Sequence, residues 1–163
     1  FEPINTQVQT KPAISANTSK SWNFSNMAFR NLGTVSKTVT IDNLLVVATN
    51  EKKVSVIADK QNVSGTEYGY SLALGGSGNT SYRAVKIPVY GTDIIKVTLR
   101  SSGASERTLV VADENGLQLG TIKAGTTAST QTFNYSGKSG YVYLYSAGSG
   151  INLYKIQVDS KAN

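Results

Sequence analysis

The chain has 163 residues, 39% of them hydrophobic and 16% charged, the proportions of one folded domain large enough to bury a core without a covalent staple. Sixteen Lys and Arg against ten Asp and Glu give +6 at pH 7, a balance that favours acidic partners such as polyuronate, nucleic acid or an anionic surface. Neither cysteine nor histidine occurs, so disulfides, thiolate or imidazole metal sites, cysteine nucleophiles and Ser-His-Asp triads are all excluded.

Residues 1–20, with Pro3, Pro12 and many Thr, Gln, Asn and Ser, show little periodicity and read as a linker or flexible arm. The domain proper is expected at 21–159, with 160–163 as a tail. Trp22 and Phe24 alternate with polar neighbours, which fits a first short strand with the single Trp as a core anchor. Met27 to Gly33 is the one stretch that fits a helical turn. Strands are then expected at Thr38–Ile41, Leu44–Thr49, Val54–Asp59, Tyr68–Leu74, Tyr82–Val89 and Asp93–Ser101, continuing at Thr108–Asp113, Gln118–Ile122, Thr130–Tyr135, Tyr141–Ala147 and Ile151–Val158. Short strands at intervals of 8 to 12 residues, with no long helical pattern, predict an all-β, antiparallel, jelly-roll-like β-sandwich forming a single, monomeric domain. No apolar run approaches the roughly 20 residues of a membrane-spanning helix. A cysteine-free composition rich in Thr, Ser, Asn, Gly and Tyr suits a secreted bacterial protein.

Within these strands the alternation assigns faces. Ile94 to Arg100 sends Ile95, Val97 and Leu99 to the core and Lys96, Thr98 and Arg100 to the other side. In Tyr82 to Tyr90, Arg83 shares the parity of Val85, Ile87 and Val89, while Lys86 lies opposite. Lys86 and Arg100 share a face if their strands pair in one sheet; like charges side by side destabilise a sheet, so such an arrangement calls for an anionic partner. Pro88 cannot donate to a ladder, which predicts an edge strand or a bulge. Ile151 to Val158 is partly apolar on both faces, and Lys155 is turned outward by the cost of burying an unpaired ammonium. Val142 and Leu144 fit the core, leaving Tyr141, Tyr143 and Tyr145 as a row on the opposite side. Asp113-Glu114-Asn115-Gly116 reads as a tight turn.

The succession Leu74-Gly75-Gly76-Ser77-Gly78, Tyr82-Arg83-Ala84-Val85 and Arg107-Thr108-Leu109-Val110, with the closing run from Tyr143 to Ile156, resembles the non-catalytic β-sandwich modules attached to bacterial pectate lyases. The nearest named group is carbohydrate-binding module family seventy-seven. The resemblance covers about residues 21 to 159. It implies recognition of de-esterified homogalacturonan (pectin, polygalacturonate) by basic side chains that meet uronate carboxylates, no catalytic residues, and attachment to a larger pectin-degrading enzyme; no cofactor or metal-ligating residue is expected, and a calcium bridge between protein and pectate is left open. The residues matching such a basic set are Lys86, Arg100 and Lys155. Arg100 departs from an all-lysine site, although guanidinium grips a carboxylate bidentately. Arg83 and Arg107 lie in the same motif; pairing of Arg83 with Asp93 or Glu106 is the structural alternative, and Arg107 has the same two readings.

One exposed Lys–carboxylate pair is worth about 0 to 1 kcal/mol. Three or more cations matched to successive uronates reach about 4 to 7 kcal/mol, an affinity between about millimolar and about 10 micromolar, weakened by salt. Three other readings stay open: a small polysaccharide lyase using Lys155, Tyr154 or Arg100 as base, a single-strand nucleic-acid binder built on the tyrosines, and a structural or adhesion sandwich without a ligand. Lys52-Lys53 is the longest basic run and no nucleic-acid motif is present, so nucleic acid is not expected as a partner. The sequence around Gly75 to Gly78 lacks the Lys-Ser/Thr pair of a phosphate loop.

Overall fold

The chain alternates between two packed sheets in a computed structural model that describes residues 14–162. The elements are β1 (Thr18–Asn23), α1 (Met27–Arg30), β2 (Thr34–Val35), β3 (Val39–Ile41), β4 (Leu44–Val47), β5 (Val54–Val63), β6 (Thr66–Ala73), β7 (Ala84–Val89), β8 (Thr92–Ser101), β9 (Arg107–Ala112), β10 (Gln118–Ala124), β11 (Ser129–Ser136), β12 (Gly140–Ser146) and β13 (Ile151–Ser160). One sheet has the order β11-β8-β13-β6-β5-β2, with β1 also paired to β13; the other runs β10-β9-β12-β7-β4-β3. Every pairing is antiparallel. The expected antiparallel β-sandwich is what the chain forms.

The core lies between the sheets and is built by period-two alternation. Ile95, Val97 and Leu99 from one sheet and Val85, Ile87, Val142 and Leu144 from the other have no exposed surface. Each such side chain contributes about 1.5 to 3 kcal/mol by leaving water. Trp22 is buried in the same cluster and its indole N–H donates to the Asp42 carbonyl at 2.9 Å, so it anchors the first strand. The turns follow their residues. Asp42 and Asn43 between β3 and β4, and Ser64 and Gly65 between β5 and β6, have positive φ at both central positions, the condition for tight hairpins. At the Asp113–Gly116 turn the positive φ falls on Gly116, and Asp113 Oδ1 accepts from the N–H of Asn115 and Leu117.

Several expectations are corrected. Of the arm expected at 1–20, residues 1–13 lie outside the described residues, as does Asn163 of the tail; Thr18–Lys20 already belong to β1, and β13 continues to Ser160. The helical turn stops at Arg30, and a two-residue β2 follows it. β7 is not an edge strand: it lies between β12 and β4, and the β4 ladder covers only Ala84 to Lys86, so Pro88 sits past its end. Most important for the site, β7 and β8 belong to different sheets. Lys86 and Arg100 point away from the core on opposite sides of the sandwich and do not share a face.

Candidate functional site

The outer face of the seven-stranded sheet is set by two irregularities. In β13, Leu153 pairs with Leu99 and Lys155 with Thr98, so Tyr154 is an extra residue bulged out of the ladder. The bulge changes the parity of the strand. Ile151 and Leu153 before it, and Ile156 and Val158 after it, all face the core, which corrects the uninterrupted alternation expected here. Tyr154 is buried outside that core, against Val63, Tyr68 and Ala128. In β5 the ladder to β6 also shifts, between Ala58 and Gln61, and there it releases Asp59.

These bulges bring Asp59 and Tyr154 together. Asp59 Oδ2 accepts from Tyr154 Oη at 2.7 Å, Ser71 Oγ at 2.9 Å and Asn152 Nδ2 at 2.9 Å, and Gln61 Nε2 donates to Oδ1 at 3.3 Å. Arg100 closes the cluster: its Nε donates to Tyr154 Oη at 3.1 Å, its Nη1 to the Ser101 carbonyl at 3.2 Å, and its Nη2 lies 3.6 Å from Asp59 Oδ2. Burial pushes the Asp59 carboxyl up, but the four hydrogen bonds outweigh it and hold the group below the ordinary carboxylate range. The Tyr154 phenol is pushed up to about 12 by burial and by its bond to Asp59. The Arg100 guanidinium is raised by Tyr154 and then by Asp59. Arg100 is therefore a fixed fork, with N–H donors on Nη1 and Nη2 left over.

Around this frame lie the other cations of the face. Lys155 stands opposite Thr98, so Lys96, two residues along β8, is its diagonal neighbour, about 7 to 8 Å away, while Arg100, two residues the other way, lies across the bulge. A cleft is lined by Tyr68, Lys96, Thr98, Thr130, Lys155 and Gln157. Lys96 Nζ is 3.1 Å from Asp159, whose carboxyl is held down at about 2 by hydrogen bonds from Ser19 and Gln157 and by Lys96. Lys155 is half-buried and has no ion-pair partner among the described residues. A larger hollow at the far end of the same face, around Thr92, Ile94 and Asn134, has as its buried carboxylate Asp93, already occupied by the N–H of Tyr90 and Gly91 and the Ser160 hydroxyl.

The outer face of the seven-stranded sheet carries Arg100, Lys155 and Lys96, the last already turned outward by the alternation of Ile94 to Arg100, whereas Lys86 lies on the other sheet. Lys86 is on the outer face of the other sheet, 5.2 Å from the ring centroids of Tyr141 and Tyr143 and 3.9 Å from Glu114. Arg83 adopts a positive φ, packs against Gly75 and Gly76 and donates to the Lys53 carbonyl at 3.0 Å; neither Asp93 nor Glu106 is its partner. Arg107 Nη1 donates to the Gly150 carbonyl at 2.6 Å and to Ser102 Oγ at 3.0 Å, which ties two loops together. Asp59 carried no signal as a site residue in sequence, because only the bulges bring it to Arg100 and Tyr154.

No protein-family model matches the sequence, and no curated protein matches it. Similarity appears in structure. The chain superposes on a module described under glycan recognition in the Ruminococcus flavefaciens cellulosome, with TM-score 0.50 and 6% identity over 91% of this chain and 98% of that one. It also superposes on the CBM22-1 xylan-binding domain of Paenibacillus barcinonensis Xyn10C, with TM-score 0.53 and 17% identity over 93% of this chain and 100% of that one. The sandwich fold is thus one used whole by a carbohydrate-binding domain.

Proposed function

We propose that the chain is a non-catalytic carbohydrate-binding module whose seven-stranded sheet binds an acidic polysaccharide, with Lys155, Lys96 and Arg100 meeting uronate carboxylates. The observation that carries the reading is Lys155, which has no counter-ion among the described residues and shares its face with two further cations, Lys96 and Arg100. A fold has no stability reason to build that arrangement, and a carboxylate ligand relieves it. Asp59 and Asp159 offset part of the charge, which restricts the site to a ligand that brings its carboxylates close to Lys155. De-esterified homogalacturonan fits, as does the resemblance to pectin-binding modules; on this reading the module is secreted and directs an attached pectin-degrading enzyme to its substrate. The sandwich shared with a xylan-binding domain supports a binding role over a lyase.

Affinity electrophoresis in polygalacturonate, highly methylated pectin and neutral glucan tests it. Retardation is expected with polygalacturonate, relieved by salt, and weakened about fivefold or more in Lys155→Ala. Equal retardation of Lys155→Ala and the parent would remove the site; retardation by methylated pectin equal to that by polygalacturonate would remove the uronate.

A further inference from the structure

On the opposite side of the molecule, β12 alternates Val142 and Leu144 into the core with Tyr141, Tyr143 and Tyr145 outward, all three half-buried. Their surroundings differ from those of the cationic face. In register with Tyr145 are Ala84 on β7 and Val110 on β9; in register with Tyr143 are Lys86 and Ala112; in register with Tyr141 is Pro88. Ala84 and Ala112 lie on the outward parity of their strands yet have no exposed surface, so the side chains beside them close over them. The row therefore rests on a floor of methyl groups and a proline ring. Tyr141 is fixed by its hydroxyl donating to Asn43 Oδ1 at 2.6 Å. The hydroxyls of Tyr143 and Tyr145 have no hydrogen-bond partner among the described residues. The charge at the centre of the row, Lys86, has Glu114 as a partial counter-ion at 3.9 Å and sits between the rings of Tyr141 and Tyr143.

We propose that this row is a second glycan site, for a neutral, extended β-linked polysaccharide lying along β12, with sugar faces on Tyr143 and Tyr145 and ring hydroxyls bonded to the two phenols and to Lys86. Three features select that occupant. Tyrosine combines an apolar ring with a polar tip, as a pyranose does with its C–H face and its hydroxyls. Alternate residues of a strand are about 6.8 Å apart, so the row is long and one strand wide, the footprint of a ribbon-like chain rather than a protein interface. The near-neutral charge offers an acidic chain no advantage over a neutral one. The site shares no residue with the cationic face, so either can fail without the other.

The experiment is affinity electrophoresis in soluble mixed-linkage β-glucan and in β-galactan at high salt, with polygalacturonate at low salt run alongside. The parent is expected to be retarded by one neutral glycan at high salt, with at least about tenfold loss in Tyr143→Ala/Tyr145→Ala and little change in Lys155→Ala. Near-ultraviolet circular dichroism reports whether the double variant is folded; if it is not, Tyr145→Ala alone is the test, with about fivefold loss expected. Failure of both glycans to retard the parent, or unaltered retardation of the folded tyrosine variant, overturns the second site. Loss of polygalacturonate retardation in Lys155→Ala with glucan retardation intact supports both sites, and its persistence counts against the cationic site only.

Discussion

Asp59 illustrates how one carboxylate can shape a surface without touching a ligand. Four side chains donate to it and Arg100 stands beside it. Removing the donor with the shortest bond, in Tyr154→Phe, is expected to lower stability by about 1 to 3 kcal/mol, read as a fall in Tm, because a nearly buried carboxylate loses a partner and the Arg100 Nε loses its acceptor. The pH dependence has two limbs. Asp59 and Asp159 are held below their ordinary value of 3.8, so their contribution is complete above that pH and fades as pH falls through the folded values, about 2 for Asp159. Tyr154 is raised, so its contribution is complete below the ordinary phenol value of 10 and fades as pH rises through about 12. Urea midpoints measured across pH should fall at both ends, and the Tyr154→Phe variant should lose part of the alkaline limb. Of this cluster only the outward turn of Arg100 was legible in sequence, since Asp59 and Tyr154 are 95 residues apart and meet through two bulges.

At the scale of elements, sequence alternation located strands well where they are uninterrupted. Ile95, Val97 and Leu99 were assigned to the core and Lys96 and Arg100 to the surface by parity alone, as the structure has them. The partly apolar faces of Ile151 to Val158 were the trace of a bulge, but alternation cannot say where an extra residue sits. Sheet membership was also hidden, because β7 and β8 are consecutive in the chain and are joined by a short turn, yet cross from one layer to the other. The glycine-rich segment before β7 has a steric cause. A Cβ on Gly78 would stand 2.3 Å from the Arg83 carbonyl oxygen and 2.8 Å from that of Tyr82, both backbone atoms that cannot step aside. Gly78→Ala is therefore expected to cost about 1 to 3 kcal/mol in thermal or urea unfolding, whereas Gly148→Ala, which meets nothing within 4 Å, should cost little.

For the whole molecule, the net charge of +6 is less telling than its distribution. Two of the three cations on the cationic face have carboxylates beside them, so the effect of salt on polygalacturonate binding should be modest rather than steep. The measured slope of log affinity against log salt should decrease further in Lys155→Ala, which removes the cation that has no counter-ion among the described residues. The pairing of β1 with β13 also has a mechanical meaning. Thr18 stands opposite Ser160 and Asn23 opposite Lys155, so tension applied to both ends of the described chain meets this ladder at one extremity and opens it pair by pair. Such a ladder peels at low force, since each step loads one rung instead of all six. The peeling front reaches Asn23 and Lys155 last, so a pull on both ends would strip the first strand from β13 before disturbing the ladder between β13 and β8.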